Sequence, residues 1–244
     1  MKILITGAKG QLGWELMRRG EAKGGLMTGV DLPEVDLCIG GRVHETVQSV
    51  RPDLVINAAA YTNVDGAESD AETCFQVNEN LPRRLAKACR AAGMPLVHVS
   101  TDFVFHAPRS TPWDEDAPVS PQGVYATAKA AGETAVRDSL DAHVIVRTAW
   151  LYGIRGKNFV KTMLSLARDR EEIGVVADQV GCPTFAGDLA EVLLAMAGKL
   201  DGRRDLPWGT YHYCGGGQAS WHDFARTAID LARQDGEMDF RLQR

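Results

Sequence analysis

The first thirteen residues restrict the fold more than any other stretch. Lys2-Ile-Leu-Ile-Thr6 is a short apolar run ended by glycine, and a helical pattern continues through Arg19. Between them lies Gly7-Ala-Lys-Gly10-Gln-Leu-Gly13. This reads as a buried parallel strand, a glycine-rich turn and a helix. A turn of that kind leaves backbone N–H groups unpaired and puts the positive helix end where a pyrophosphate can sit. The spacing is G-x-x-G-x-x-G rather than the commoner G-x-G-x-x-G, so the turn is built a little differently. Asp31 closes the next strand 18 residues beyond Gly13. There its carboxylate can accept hydrogen bonds from adenosine ribose hydroxyls and would repel a 2′-phosphate. The expectation is a dinucleotide site for NADH or NADPH, with NADH slightly favoured.

Strand and helix patterns go on alternating. Helix is expected near 43–50, strand over Leu54–Asn57, helix over about 71–92 bent at Pro82, and strand over Leu96–Ser100. A helix around Tyr125, a strand over Val144–Arg147, a helix over about 158–168 and a short strand over Ile173–Ala177 follow. Ser220-Trp-His-Asp223 reads as a capped start to a last helix running to about Arg233. Met238-Asp-Phe-Arg-Leu242 resembles the beginning of one more strand. Strands separated by helical crossovers imply an α/β fold, a doubly wound parallel sheet of Rossmann type covered on both faces. Glycine and proline thicken after residue 150. We therefore expect a dinucleotide-binding domain over 1–150 and a small C-terminal substrate-binding lobe over 151–244, with some segments returning to the first domain. Ligands of such sheets bind beyond the carboxyl ends of the strands. Here those ends are Gly7, Asp31, Asn57-Ala58-Ala59-Ala60, Ser100-Thr101-Asp102 and Arg147-Thr148-Ala149-Trp150.

Tyr125-Ala-Thr-Ala-Lys129 adds chemistry. On a helix it stacks a phenol and an ammonium on one face. An adjacent cation favours phenolate, so Lys129 is expected to lower the Tyr125 pKa and make it a general acid. Composition removes other classes of partner. A net charge of −5 with no basic run longer than Arg-Arg argues against nucleic acid. The five cysteines include no C-x-x-C spacing, so no disulfide framework or metal site is expected, and the thiols read as reduced. No apolar run approaches the roughly 20 residues of a membrane span and no signal peptide opens the chain, so no membrane partner and a cytoplasmic location are expected.

The order Gly7-x-x-Gly10-x-x-Gly13, Asn57-Ala-Ala-Ala60, Asn78, Ser100-Thr-Asp102 and Tyr125 with Lys129 resembles the extended short-chain dehydrogenase/reductases. Within them, TGAKGQLG, RPDLVINAAAYTNVD, STDFVF, VYATAKAAGE, RTAWLYG, NFVKTML and VADQVGCPT are similar to the dTDP-4-dehydrorhamnose reductases. The resemblance covers residues 1 to about 230. It implies NAD(P)H-dependent reduction of the 4-keto group of dTDP-4-dehydro-L-rhamnose. It also implies the roles. Tyr125 is the acid, Lys129 tunes it and binds the nicotinamide ribose, and Thr101 hydrogen-bonds the substrate oxygen. Gly7, Gly10, Gln11, Leu12, Gly13, Asp31, Asp36, Leu37, Ala58, Ala59 and Ala60 line the cofactor together with Tyr125 and Lys129. Asp102 and Trp150 join Thr101 and Tyr125 on the sugar, although Trp150 could instead pack between the lobes. Asp178-Gln179 and Pro183-Thr184 fall in a nucleotide-side loop.

Members of the family usually continue several tens of residues past the position of Arg244, with a proline- and arginine-containing segment over the substrate pocket. Contacts to the substrate diphosphate, and a homodimer contact made through glutamates, are expected to depend on that region. Three rivals share the fold. Nucleotide-sugar 4,6-dehydratases carry an acidic residue right after the Thr-Asp pair, where this chain has Phe103, so elimination lacks its base. Other 4-ketoreductases and epimerases are not separated by these residues. A non-catalytic dinucleotide-binding regulatory subunit, as in methionine adenosyltransferase, is disfavoured by the presence of Thr101, Tyr125 and Lys129 together.

Overall fold

The computed structural model describes residues 1–106, 109, 111–201 and 206–236. Its centre is a six-stranded sheet of β1 (Lys2–Thr6), β2 (Leu26–Val30), β3 (Leu54–Asn57), β4 (Leu96–Thr101), β5 (His143–Thr148) and β9 (Gly209–His212). The spatial order is β2-β1-β3-β4-β5-β9, with every pairing parallel. Strand order reverses direction between β1 and β3, which opens a crevice above their carboxyl ends.

Parallel strands buried on both faces need apolar side chains in both directions, and the strands supply them. On one face Leu4, Val55, Leu96 and Ile145 pack under α2 (Arg42–Val50), α5 (Leu81–Ala92) and α6 (Gly123–Ser139). On the other, Ile3, Ile5, Ile56, Val97 and Val144 pack under α1 (Gln11–Ala22) and α8 (Ala186–Leu200). The short helices α3 (Val64–Ala67) and α4 (Ala71–Phe75) follow the end of β3.

The helix expected over 71–92 is interrupted just before Pro82, and the cause is specific. Residues Gln76–Asn80 form a π turn, and α5 then restarts with Pro82 in its first turn, where the missing N–H costs nothing. Asn78, in that π turn, accepts from Tyr61 N and donates to Tyr61 O, both at 3.0 Å. A 3₁₀ turn at Asp102–Val104 continues β4.

After residue 150 the chain divides its loyalties. The short strands β6 (Leu151–Tyr152) and β8 (Thr184–Phe185) pair in parallel, and β7 (Val180–Gly181) pairs antiparallel with β10 (Ala219–Ser220). Helices α7 (Phe159–Asp169) and α9 (Trp221–Gln234) pack together there. Ser220 caps α9 as expected, accepting from Asp223 N at 3.0 Å. Several elements were not read from the sequence: α3, the 3₁₀ turn, the short strands β6, β7, β8 and β10, the helix α8, and β9, which adds the sixth strand to the main sheet.

The strand expected at Ile173–Ala177 does not form. The edge of β5 is already taken by β9, Val176 is half exposed, and its carbonyl instead accepts from His222 N at 3.0 Å. The expected strand at Met238–Leu242 lies outside the described residues. The five cysteines are free thiols. Among the described residues no helix is long and apolar enough to cross a membrane, and no cluster of side chains could hold a metal ion.

Candidate active site

The glycine turn is built by close approach. Gly7 has φ +71°, and a Cβ there would lie 2.7 Å from the backbone of Ala59. Only glycine lets the tail of β1 pass the tail of β3. At Gly13 a Cβ would meet the Gly7 carbonyl at 2.0 Å, so glycine is needed to seat α1 on its own turn. No side chain caps Gly10, and the amides of Gln11, Leu12 and Gly13 occupy the first three helical positions, which have no intrahelical acceptor. The cradle and its free donors fit a dinucleotide pyrophosphate. The Gln11 side chain is engaged elsewhere: its Oε1 accepts from Asn158 Nδ2 at 3.0 Å.

Asp31 lies just past β2. Its carboxylate accepts from Lys9 N at 2.7 Å and Leu32 N at 2.8 Å, which aims it across the glycine turn. The Lys9 ammonium pairs with Glu34 and donates to the Leu32 carbonyl at 3.0 Å. Asp36 accepts from Cys38 N at 2.8 Å and shapes the loop after β2, while Leu37 is buried in the core beneath it. Ala58, Ala59 and Ala60 follow β3. Their path is set by Asn57, fully buried, whose Oδ1 accepts from Ala59 N at 3.2 Å and Thr6 Oγ1 at 2.6 Å. Asn57 Nδ2 lies 3.0 Å from His98 Nδ1, so His98 accepts there, and burial keeps its imidazole neutral. The row Thr6, Asn57, His98 follows the strand register across β1, β3 and β4.

Thr101, Tyr125 and Lys129 are all buried at the same end of the sheet. Thr101 Oγ1 donates to Asp102 Oδ1 and accepts from Phe103 N, each at 3.2 Å. The Phe103 ring meets Tyr125 edge-on, with centroids 5.6 Å apart. Glu68, after α3, accepts from Val124 N at 2.8 Å and so pins the first turn of α6, the helix that carries Tyr125 and Lys129. Next to these groups opens a cavity of about 450 Å³, with Tyr125 and Asp102 in its wall and Phe103, Phe105, Glu68 and His106 around it. Glu68, His106 and Asn158 were not singled out from sequence. The Asn158 spacing just before an amphipathic run is a readable cap, and its side chain indeed accepts from Lys161 N at 3.1 Å.

The electrostatics correct one expectation. Tyr125 is not shifted down by Lys129. Burial pushes it up to about 12, with the hydroxyl of Thr101 pulling the other way. Lys129 Nζ instead donates to the Val99 carbonyl at 2.8 Å, and burial brings its pKa down to about 8, partly opposed by Glu133. Burial also raises Asp102, to about 6.

Trp150 sits where β5 ends, with φ +46°. Its ring stacks on Trp221 at 3.5 Å between centroids, and a Cβ on Gly181 would enter it at 2.4 Å. In this arrangement it packs between the end of β5 and the start of α9. Pro183 and Thr184 lie beside it, with Thr184 N donating to the Trp150 carbonyl at 3.2 Å. Asp178 and Gln179 fall in the irregular segment before β7.

A glycine cradle, an acidic residue after the second strand and a buried Thr, Tyr and Lys therefore lie along the same carboxyl edge of the parallel sheet. The family model described as the RmlD substrate binding domain matches residues 1–241. The dTDP-4-dehydrorhamnose reductase of Salmonella typhimurium is 41% identical over 240 residues, 97% of this chain and 80% of the relative. This chain belongs to the dTDP-4-dehydrorhamnose reductase family. Solved structures agree. The reductase of that name from Clostridium acetobutylicum superposes with a TM-score of 0.89 at 39% identity, covering 96% of this chain and 81% of the other. That from Bacillus anthracis, solved in complex with NADP, gives 0.88 at 38% identity, covering 96% and 82%. Family membership makes the chain a member of an NAD(P)H-dependent oxidoreductase family.

Proposed function

We propose that this chain reduces the 4-keto group of dTDP-4-dehydro-L-rhamnose to give dTDP-L-rhamnose, using NADH or NADPH. What supports this reading is that Thr101, Tyr125 and Lys129 are buried at the carboxyl edge of the sheet that also carries the glycine turn, with Tyr125 in the wall of the 450 Å³ cavity. The bound dinucleotide supplies the hydride to the carbonyl carbon.

The chain's own residues do the rest. The Gly7–Gly13 turn and the first amides of α1 hold the pyrophosphate, and Asp31 holds the adenosine ribose. Tyr125 gives its proton to the carbonyl oxygen, with Thr101 donating a second hydrogen bond to the same atom. For that, the Thr101 hydroxyl turns from its long contact with Asp102. Lys129 stabilises the phenolate left behind and binds the nicotinamide ribose. Asp102 and the cavity wall shape the sugar site. Trp150, at the end of β5, closes it on the side facing the C-terminal lobe over 151–244, which supplies most of the substrate-binding surface. Phe103 in place of a carboxylate leaves no base for 4,6-elimination.

The test is optical: oxidation of NADH or NADPH with the keto-sugar nucleotide present and absent, with dTDP-rhamnose identified as product. Dinucleotide binding with no turnover would favour the regulatory-subunit reading. Turnover that returns a 4-keto epimer would favour an epimerase.

A further inference from the structure

Beneath the site lies a buried ion pair that the mechanism above does not use. Glu133 follows Lys129 by one helical turn on α6 and is 1% exposed, and Arg147, on β5, is 4% exposed. Arg147 Nε donates to Glu133 Oε1 at 2.9 Å and Nη2 to Oε2 at 2.8 Å, a two-pronged clamp. Arg137 adds a third bond to Oε2 at 2.6 Å. Arg147 Nη1 donates at 3.2 Å to the Glu115 carbonyl and to His212 Nε2, and His212 Nδ1 then donates to the Trp113 carbonyl at 3.1 Å. The pair thus fixes α6 against β5, β9 and the segment before α6.

Burying two charges costs desolvation that a pair of apolar residues would avoid, so structure alone gives little reason for them. The groups around Lys129 supply one. From α6 it faces Glu133, and from α4 the Cys74 thiol. On β4, His98 is neutral, and the Val99 carbonyl is a dipole without net charge. Tyr125 and Asp102 stand closer to the cavity, and both are pushed toward their neutral forms by burial. Burial pushes the Glu133 carboxyl up as well, but the Arg147 hydrogen bonds and the Ser100 hydroxyl outweigh it and keep the group below its usual range. Glu133 is therefore a fixed buried anion one turn from a buried ammonium.

We propose that Glu133, clamped by Arg147, is a positioning residue that supplies the buried counter-charge holding Lys129 as an ammonium in the site. The inference rests on the reductase reading of Lys129 and is tested by a signal that does not need turnover. Protein carrying lysine labelled with ¹³C at Cε is titrated by NMR, and Lys129 is assigned by its absence in Lys129→Met. In Glu133→Gln the Lys129 midpoint falls by on the order of one pH unit. In Glu133→Gln/Arg147→Met the lost thermal stability returns, because no unpaired buried cation remains, yet the midpoint stays low. The pH at which NADH affinity is lost moves down by the same amount in both variants. A purely structural pair would leave the midpoint unchanged in the single variant or restore it in the double, and either result overturns the proposal. If the single variant does not fold, the double decides alone. A wild type that ignores the keto-sugar would sink the reductase reading without altering the Lys129 titration, so the two failures are distinguishable.

Discussion

Replacing Lys129 with methionine removes a buried charge while keeping most of the side chain's length. Its pKa of about 8 against an ordinary 10.5 means that the folded state gives up this proton some two and a half units early. At about 1.4 kcal/mol per unit, holding the ammonium in the ligand-free fold costs about 3 kcal/mol at pH 7. The substitution also deletes the 2.8 Å hydrogen bond to the Val99 carbonyl, a loss of about 1 kcal/mol. Glu133 is not orphaned, because Arg147 and Arg137 remain on it. The net expectation is a ligand-free variant about 2 kcal/mol more stable at pH 7, or roughly 4–8 °C in Tm for a chain of this size, and without turnover. The pH dependence fixes the origin. Between pH 8 and 10.5 the unfolded chain binds more protons than the folded one, so wild-type stability rises with pH relative to the variant. The gap should be full below pH 8 and nearly closed by pH 10.5. Urea unfolding of both proteins at pH 7 and at pH 10 measures it. A variant no more stable than wild type at pH 7, or a gap of equal size at both values, refutes the argument that burial of a charged Lys129 is costly.

Tyr125→Phe keeps the ring packed against Phe103 and deletes only the acid, so turnover should fall about 100-fold or more with the dinucleotide Kd nearly unchanged; steady-state rates and titrations read both, and unaltered turnover removes Tyr125 from the chemistry. Asp31 should make NADH bind at least as tightly as NADPH, and Asp31→Ala should narrow the difference, since it removes the charge opposite a 2′-phosphate; NADPH tighter by tenfold in the wild type contradicts this. Gly7→Ala should cost at least about 2 kcal/mol and weaken dinucleotide binding, because the residue must keep φ +71° with its Cβ 2.7 Å from the Ala59 backbone. Wild-type melting and affinity in that variant would mean that the two strand tails move apart freely.

The parts of this molecule that could be read from sequence are those that a few adjacent residues determine. The strand, glycine turn and helix of residues 2–22 are set by local periodicity and by two positions where no Cβ fits. What escaped was settled by distant partners. Gly209-Thr-Tyr-His212 has no apolar run, and it is a strand because β5 offers it an edge. Ile173–Ala177 has the run, but the edge of β5 is occupied by β9. Trp150 marks the end of β5 on the page, yet its stacking partner is 71 residues away. The Tyr125–Lys129 pair shows most clearly how local reasoning errs. Spacing on a helix makes the cation look like the dominant influence, but both side chains are buried, and desolvation outweighs the mutual effect. That outcome suits the chemistry better than the one expected. A phenol pushed up to about 12 stays protonated across the neutral range, so the donor is loaded whenever substrate arrives. Proton transfer to the oxygen of a carbonyl taking up hydride needs no strong acid, since an alkoxide is far more basic than a phenolate. What the site must supply is a cation for the phenolate that remains, and a buried Lys129 does this only while something keeps it charged. The burden on the protein therefore moves from Tyr125 to the anion behind Lys129, where Arg147 and Arg137 hold a carboxylate in place before any ligand binds.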